Sequence, residues 1–403
     1  MKLAILTQYY PPEIGAPQRR LSSLARHFID AGHSVQVLTA MPNYPRGRIY
    51  DGYGGTVRVE QIGGARVLRT FVYPTQRTDF VHRLASYFSF VLSSAAVGTA
   101  RLGRPDFLMV ESPPLFLGLA GRWLARVKRT RMIFNVSDLW PESAVRLGLV
   151  REGSLAHRLS TGLEGACYRS AWMVTGQSRE IIESVRDRFP RVRAYHLSNG
   201  VDCDAFGADR ATDDARATLG ADGSCVALYA GLHGIAQGLP QLLAAASMLR
   251  EEGGPDLVFL GDGPVKERLV EDARERSLGN VRFLNPLPAD ALPPLLAAAD
   301  ILLVPLGLGI PGAVPSKLYE AMASGRPVVL VADGEPANIV RSNQAGLVVA
   351  PDDIAGLAAA LRRLRDDPAL RAELGANGRR AAERHFDRRE IALRFMAELE
   401  KSV

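Results

Sequence analysis

Short apolar runs, each about one strand long, alternate with amphipathic helical patterns along this chain, and the scheme occurs twice. In the first half, Lys2–Thr7, Ser34–Thr39, Asp106–Val110, Arg131–Ser137, Ala171–Thr175 and Val192–Leu197 read as buried strands. Amphipathic stretches such as Pro17–Ala31, Leu115–Lys128 and Ser154–Tyr168 lie between them. Gly63-Gly64, flanked by Thr56–Ile62 and Ala65–Phe71, reads as a hairpin turn. In the second half the strands are Cys225–Ala230, Asp256–Leu260, Val281–Leu284, Asp300–Pro305, Pro327–Val331 and Gly346–Val349. Such alternation predicts parallel sheets wrapped by helices. The expected fold class is therefore α/β, with two doubly wound, Rossmann-like domains facing a central cleft.

The boundary is expected near Asn199-Gly200-Val201-Asp202, ahead of the polar, strand-free stretch Gly207–Gly223. This gives an N-terminal domain over 1–200, a C-terminal domain over 201–383, and a C-terminal helix over 384–403 that packs back on the first domain. A chain of 403 residues with 47% hydrophobic content has room for two such cores. Its three cysteines, Cys167, Cys203 and Cys225, are widely spaced and contain no C-x-x-C. That argues against a disulfide framework or a cysteine zinc site, and fits a reducing cytoplasm. The first apolar run, Lys2–Thr7, is too short for a signal peptide and reads as a strand.

Net charge is +6, but unevenly placed: residues 1–200 hold 27 Lys and Arg against 14 Asp and Glu, and residues 201–403 hold 22 against 29. A basic first half suits an anionic ligand or surface, or simply reflects arginine-rich helices.

The stretch Ala313–Gly325 (AVPSKLYEAMASG) carries the sharpest chemical signal. It reads as a short helix, opened by Pro315-Ser316 and closed by Gly325, with Lys317 in its first turn. Cations are disfavoured there, because the unpaired N–H groups make that end of a helix positive. Ser316, Lys317, Glu320 and Ser324 fall within an arc of about 100°, with Leu318 and Met322 opposite. Two readings fit: a solvated face with a Lys317–Glu320 pair, or a phosphate held by N–H groups, Ser316 and Lys317. In the second, Glu320 accepts hydrogen bonds from vicinal hydroxyls such as those of a ribose. The loop before this helix, Leu306–Gly312, is rich in Gly and Pro and leaves a strand end.

A second loop, Gly231-Leu232-His233-Gly234-Ile235-Ala236-Gln237-Gly238, follows the first strand of this half. Its glycines let the backbone approach a ligand and turn N–H groups outward. A third strand end carries Gly261-Asp262-Gly263-Pro264, which suits either a nucleotide site or an ordinary turn. In the first half, strand one runs into Tyr9-Tyr10-Pro11-Pro12-Glu13-Ile14-Gly15-Ala16 with no G-x-G-x-x-G, which disfavours a nicotinamide oxidoreductase. Asn135-Val136-Ser137-Asp138-Leu139-Trp140-Pro141-Glu142 places two carboxylates and an indole past a buried strand. Asp138 there is either a helix cap or an acceptor-recognition group.

Taken together these motifs resemble the retaining nucleotide-sugar glycosyltransferases of family four, which have GT-B architecture. The nearest branch is the bacterial surface-polysaccharide one that includes fucosamine transferases. The motifs are Tyr-Pro-Pro-Glu-x-Gly after strand one, Gly32-His33-x-Val35, Asp138-Leu-Trp-Pro, Asn199-Gly-Val-Asp202, Pro315-Ser-Lys-x-x-Glu320 and Ala323-Ser-Gly-x-Pro327. The resemblance implies an acceptor-binding first domain and a donor-binding second domain. It assigns the donor ribose to Glu320, the diphosphate to the Gly231 loop, and a close approach to the donor to Gly15. The donor-binding set is then Gly15, Gly231, His233, Gly234, Gln237, Asp262, Gly263, Val314, Pro315, Ser316, Lys317, Leu318 and Glu320. Asp138, Glu13 and Lys317 are the candidate catalytic residues.

The chain departs from the family where a glutamate is expected eight residues before Glu320, since Gly312 stands there. The usual Arg and Lys of the glycine loop are also replaced, with Leu232, His233 and Gln237 in their region. Lys317, the backbone and His233 are left to neutralise the diphosphate. No cofactor or metal is implied beyond the nucleotide-sugar co-substrate, expected to be a UDP-sugar. Asp202-Cys203-Asp204 matches a manganese-binding D-x-D pattern but follows Asn-Gly-Val as the family's interdomain segment does.

The acceptor hydroxyl is expected to attack from the face the nucleotide leaves, its proton passing to the departing phosphate oxygen. The implied acceptor is polyprenyl-diphosphate-linked or an oligosaccharide, as in O-antigen or capsule synthesis, and no nucleic-acid partner is implied. Leu84–Ala100 has no charged residue and is bracketed by Arg83 and Arg101. It reads as a buried helix, or as one touching an anionic membrane with Tyr87, Phe88, Phe90, Val91 and Leu92. Arg101, Arg104, Arg122, Arg126, Lys128, Arg129 and Arg131 would supply the anionic-lipid contact. The expected location is cytoplasmic, peripheral on the inner face of the cytoplasmic membrane. A sugar-nucleotide epimerase of the same two-domain plan and a non-catalytic basic binding protein are the rival readings.

Overall fold

The computed structural model describes residues 1–77, 80–220, 223–307 and 309–402. Leu308 of the Gly/Pro loop, and Ala221 and Asp222 of the polar stretch, lie outside them. The chain forms two compact units, Met1–Asn199 with Arg388–Val403, and Gly200–Asp387.

The first unit holds eight strands: β1 (Lys2–Leu6), β2 (Ser34–Ala40), β3 (Val57–Ile62), β4 (Ala65–Thr70), β5 (Phe107–Ser112), β6 (Arg131–Val136), β7 (Met173–Gly176) and β8 (Ala194–His196). They form one sheet in the order β3-β4-β2-β1-β5-β6-β7-β8. All neighbours are parallel except β3 and β4, which pair antiparallel with Ile62 opposite Ala65. Gly63 and Gly64 make that turn with φ of 55° and 81°, the two positive values that a two-residue hairpin matching strand twist requires.

Side chains alternate across a strand, so each inner strand feeds two cores. Ala4, Leu6, Leu38, Leu108, Val110 and Phe134 face helices Phe80–Arg101, Leu117–Lys128 and Leu155–Ser170. Leu3, Ile5, Val37, Phe107, Met109 and Ile133 face helix Ala16–Asp30 and the C-terminal helix Arg388–Glu400. Phe28 and Phe395 meet there at 6.3 Å between ring centroids.

The second unit holds β9 (Val226–Ala230), β10 (Asp256–Leu260), β11 (Val281–Leu284), β12 (Ile301–Pro305), β13 (Val328–Val331) and β14 (Gly346–Val349). All pair in parallel in the order β11-β10-β9-β12-β13-β14. Counted within the unit this is 3-2-1-4-5-6, the order of dinucleotide-binding sheets. Val226, Leu228, Val258 and Leu302 pack on one side with helix Ser316–Ala323, while Ala227, Tyr229, Phe259 and Leu303 pack on the other with helices Pro240–Glu252 and Ile354–Asp366.

Three boundaries differ from the sequence reading. The second unit extends to Asp387, because Val201 N–H bonds Phe386 O at 2.8 Å, Val201 bridges Asp387, and Phe386 packs on Tyr319 at 4.8 Å. The returning helix therefore starts at Arg388, not at residue 384. The strand read as Val192–Leu197 is only Ala194–His196, an edge strand. Ser154 caps its helix, accepting His157 N–H at 3.2 Å, and does not lie inside it.

The uncharged stretch 84–100 forms most of helix Phe80–Arg101. Among the described residues no helix is long and apolar enough to cross a membrane. Its serines and threonine turn back on the helix: Ser89, Ser93, Ser94 and Thr99 hydroxyls donate to Ser86, Phe90, Val91 and Ala95 carbonyls. Phe90, Val91 and Ser94 are buried, whereas Phe88 and Leu92 are exposed. Two residues read as lipid contacts make contacts within the chain. Lys128 Nζ donates to Thr99 O at 2.8 Å, and the Arg131 guanidinium lies over Phe107 and Trp172.

Candidate functional site

In the second unit, β9 is flanked by β10 and β12, so the crossover direction reverses between β9 and β12. Ligands of open α/β sheets bind at the carboxyl ends of the strands beside such a reversal. The loop after β9 carries Gly231–Gly238, and the loop after β12 leads into helix Ser316–Ala323. Both predicted donor loops therefore flank the reversal.

The helix is short and lacks the usual first-turn chemistry. Pro315 precedes it in extended conformation, no described side chain caps it, and its first turn contains no acid. Val314, Leu318 and Met322 are buried in the core. Glu320 is only 8% exposed, so it does not lie on a solvated face. The Ser324 hydroxyl donates to Glu320 O at 2.9 Å, closing the last turn.

Lys317 does not extend into solvent. Its ammonium donates to Tyr229 Oη at 3.0 Å and lies 4.7 Å from the centre of that ring. Burial lowers its pKa to about 8, against the opposing pull of Glu320. Gly231 makes this placement possible. With φ of 142°, a Cβ there would fall 2.1 Å from Lys317 Cε. The glycine makes room for the lysine, a reason different from the ligand approach read in the sequence.

The glycine loop also does not turn all its N–H groups outward. Gly231 N–H bonds Leu260 O and His233 N–H bonds Asp262 O, each at 2.8 Å. The loops after β9 and β10 are thus clamped backbone to backbone. Gly261 and Gly263 are required by the same closeness, since added Cβ atoms would lie 2.0 Å from Gly231 O and 2.4 Å from His233 O. Asp262 is exposed, and its Oδ1 accepts Gly263 N–H at 2.8 Å. Gln237 Oε1 is buried without a partner among the described residues and stands where a Gly234 side chain would collide with it.

His233 is wholly buried among Tyr229, Phe259 and Phe283. Neither ring nitrogen has a hydrogen-bond partner among the described residues. Burial, together with Lys266 and Lys317, lowers its pKa to about 4 despite Asp262. It is therefore neutral at pH 7, which corrects the expectation that it helps neutralise a diphosphate. Lys266 is a group the sequence reading missed. Its ammonium donates to Gly261 O at 2.8 Å, Leu284 O at 3.2 Å and Asn285 Oδ1 at 3.1 Å, at the ends of β10 and β11. Its signal was a lysine two residues past Gly263-Pro264, at the start of a helix.

In the first unit, Gly15 precedes helix Ala16–Asp30 in extended conformation, and its carbonyl accepts Arg19 N–H at 3.1 Å. Glu13 is 2% exposed, and both its oxygens accept backbone N–H groups. It accepts N–H bonds from Tyr10 at 3.1 Å and from Asn43 and Tyr44 at 2.8 Å each. Burial raises its pKa and these three donors oppose that rise. Glu13 thus braces two loops, which is a poor arrangement for a catalytic base.

Asp138 lies half-buried after β6, and burial followed by the nearby Glu111 raises its pKa while Arg20 lowers it. Beside it is a buried network that the sequence did not reveal. Arg20 donates to Glu111 at 2.5 Å, Asn199 at 2.6 Å, Ser137 at 2.7 Å and Gln177 at 3.1 Å. Asn135 bonds Glu111 and Thr175 at 2.6 Å each. This ties the carboxyl ends of β5, β6 and β7 to helix Ala16–Asp30. Asp202-Cys203-Asp204 forms a turn in which Asp202 Oδ1 accepts Asp204 N–H at 3.2 Å.

Two family models match the chain: the glycosyl transferase 4-like domain over residues 15–200 and glycosyl transferases group 1 over residues 212–381. A glycosyl transferase assigned to colanic acid biosynthesis in Escherichia coli (strain K12), WcaI, is 27% identical over 99% of this chain and 100% of its own. The GDP-mannose-dependent α-(1-6)-phosphatidylinositol monomannoside mannosyltransferase of Mycolicibacterium smegmatis is 31% identical over 71% of this chain and 80% of its own. Among solved structures, Anabaena Alr3699/HepE in complex with UDP and glucose superposes with a TM-score of 0.73 at 19% identity, covering all of both chains. The two Rossmann-like units are those of the GT-B fold. The chain belongs to the glycosyl transferase group 1 family, and its first unit carries the glycosyl transferase 4-like domain.

Proposed function

We propose that this glycosyltransferase is a retaining enzyme that takes a sugar from UDP and adds it to a lipid-linked or saccharide acceptor of a surface polysaccharide. The observation carrying this reading is Lys317, a half-buried ammonium with a lowered pKa in the first turn of a helix whose N-terminus no described side chain caps. An anionic diphosphate relieves both costs at once, since it accepts the first-turn N–H groups and the ammonium hydrogen bonds. Glu320, one turn further in, takes the ribose hydroxyls, and neutral His233 gives the site an apolar floor. Uridine is supported by the UDP bound to Alr3699/HepE. The transferred sugar is an N-acetylated amino or deoxy sugar, as the resemblance to the fucosamine branch implies.

The acceptor hydroxyl attacks the anomeric carbon on the face the nucleotide leaves. The bond to the donor phosphate breaks, and the hydroxyl proton passes to the departing phosphate oxygen. Lys317 and the helix N-terminus stabilise the charge growing on that oxygen, so no metal-dependent step is needed. Asp138, its pKa raised, orients the acceptor. The enzyme works in the cytoplasm, touching the inner membrane face through the exposed Phe88, Leu92 and Trp123.

Thermal stabilisation by UDP, GDP and ADP tests the donor reading. UDP should raise the melting temperature, and Glu320→Ala should remove that rise; a panel without effect, or an unaffected variant, contradicts it.

A further inference from the structure

The buried network around Arg20 converges on Ser137, the residue before Asp138. Ser137 is 5% exposed, and all its polar groups are engaged. Its hydroxyl accepts from Arg20 Nη2 at 2.7 Å and donates to Glu111 Oε1 at 2.5 Å. Its N–H bonds Ser112 O at 2.8 Å, and its carbonyl accepts the side-chain amide of Gln177, one residue past β7. Asp138 therefore leaves a point fixed by helix Ala16–Asp30, by the end of β5 and by the residue after β7. Arg20 joins these parts with both arms of its fork: Nη2 holds Glu111 and Ser137, and Nη1 holds Asn199 and Gln177.

Stability alone does not explain this pair. Arg20 is 7% and Glu111 2% exposed, and apolar residues of similar volume close a core as well as a buried ion pair does, or better. The opposite face of the same strands is closed in that way, by Val110, Phe134 and Val174. What a charged fork adds is direction, because it holds its partners in one plane. Among the described residues, Arg20 and Glu111 are also the charged groups that act on Asp138. Burial raises its pKa most, Glu111 adds to the rise and Arg20 opposes it. Glu142, four residues on, is paired with Arg188 at 2.9 Å. We propose that Arg20 and Glu111 together are the positioning residues of Asp138, fixing where its carboxylate stands when the acceptor arrives. This rests on the reading of Asp138 as an acceptor-side group and adds the residues through which that group is held.

The carbon NMR signal of the Asp138 carboxyl tests it, in the full chain isotope-labelled at the aspartate carboxyl carbon and titrated with acid. Asp138→Asn identifies the signal by its loss. Glu111→Gln keeps the side chain's shape and removes its negative charge, so the Asp138 midpoint should fall by about one pH unit. Arg20→Lys keeps the charge but has one nitrogen where the fork has two, so the chemical shift of ionised Asp138 should change. Glu13→Gln, which weakens the same unit through other loops, should leave midpoint and shift as they are. Arg20→Gln/Glu111→Gln buries no charge and replaces a single variant that fails to fold; it too should change the shift of the ionised form. The proposal is overturned if any of these Arg20 or Glu111 variants keeps both the midpoint and the shift of the wild type, or if Glu13→Gln moves them as far. UDP release from UDP-N-acetylglucosamine separates this from the acceptor reading. An unchanged rate in Asp138→Asn sinks the role given to Asp138 and leaves its dependence on Arg20 standing. A lost rate, with the Asp138 signal unmoved in the Arg20 and Glu111 variants, sinks the positioning proposal and leaves the acceptor reading intact.

Discussion

Glu13 is a residue whose type suggested chemistry and whose surroundings assign it to architecture. Two of its three N–H donors, Asn43 and Tyr44, lie 30 and 31 positions further along the chain. Glu13→Gln replaces an acceptor oxygen with an NH2 that faces those donors. It should cost about 1–3 kcal/mol of stability while the folded fraction retains its turnover. Melting curves read beside initial rates check this, and a rate collapse at unchanged stability would restore Glu13 as a catalytic group. His233 carries the same lesson. The sequence placed it in a ligand loop, but its neutrality comes from rings on β9, β10 and β11, strands whose packing no local pattern encodes. Lys317 was legible because its conflict with the helix end is local. Its contact with Tyr229, 88 residues away, was not.

At the scale of elements, the helix Ser316–Ala323 was readable from Pro315, the apolar pair Leu318 and Met322, and Gly325. So was the hairpin, because Gly63-Gly64 between two β-prone runs leaves few alternatives. Strand ends were less readable, since the short edge strand β8 depends on one neighbour only. The Gly231 loop was found for a reason that needed correction, as its glycines serve clamped backbones and a half-buried lysine. The helix end itself offers a test. Ser316→Asp supplies the missing first-turn acid and should stabilise the unliganded protein by about 0.3–1 kcal/mol. The same charge should repel a diphosphate, so UDP affinity should fall as stability rises. Melting curves with and without UDP measure both; a parallel change in the two quantities would mean that this helix end does not meet the donor.

At the scale of the molecule, the alternation of strands and helices announced two Rossmann-like units, and the family match agrees. The C-terminal helix expected to pack back on the first domain does so, as helix Arg388–Glu400, and completes that unit's core. Ile391, Ala392, Phe395, Met396 and Leu399 all face that core. Each large apolar side chain buried there contributes up to about 1.5–3 kcal/mol. A chain ending at Asp387 should therefore lose the first unit's melting transition while the second unit still responds to UDP. Differential scanning calorimetry reads the two transitions, and an intact first transition would contradict the assignment of that helix. The central claim is that Lys317 and its helix end bind the donor diphosphate. Its most direct measurement is calorimetric UDP affinity between pH 7 and 9, in the wild type and in Lys317→Ala. With an unliganded pKa of about 8, Lys317 loses its proton over this range. Wild-type affinity should fall as pH rises, and Lys317→Ala should bind about tenfold or more weakly at pH 7 with a flatter pH profile. Equal affinities and identical pH profiles in the two proteins would contradict the account.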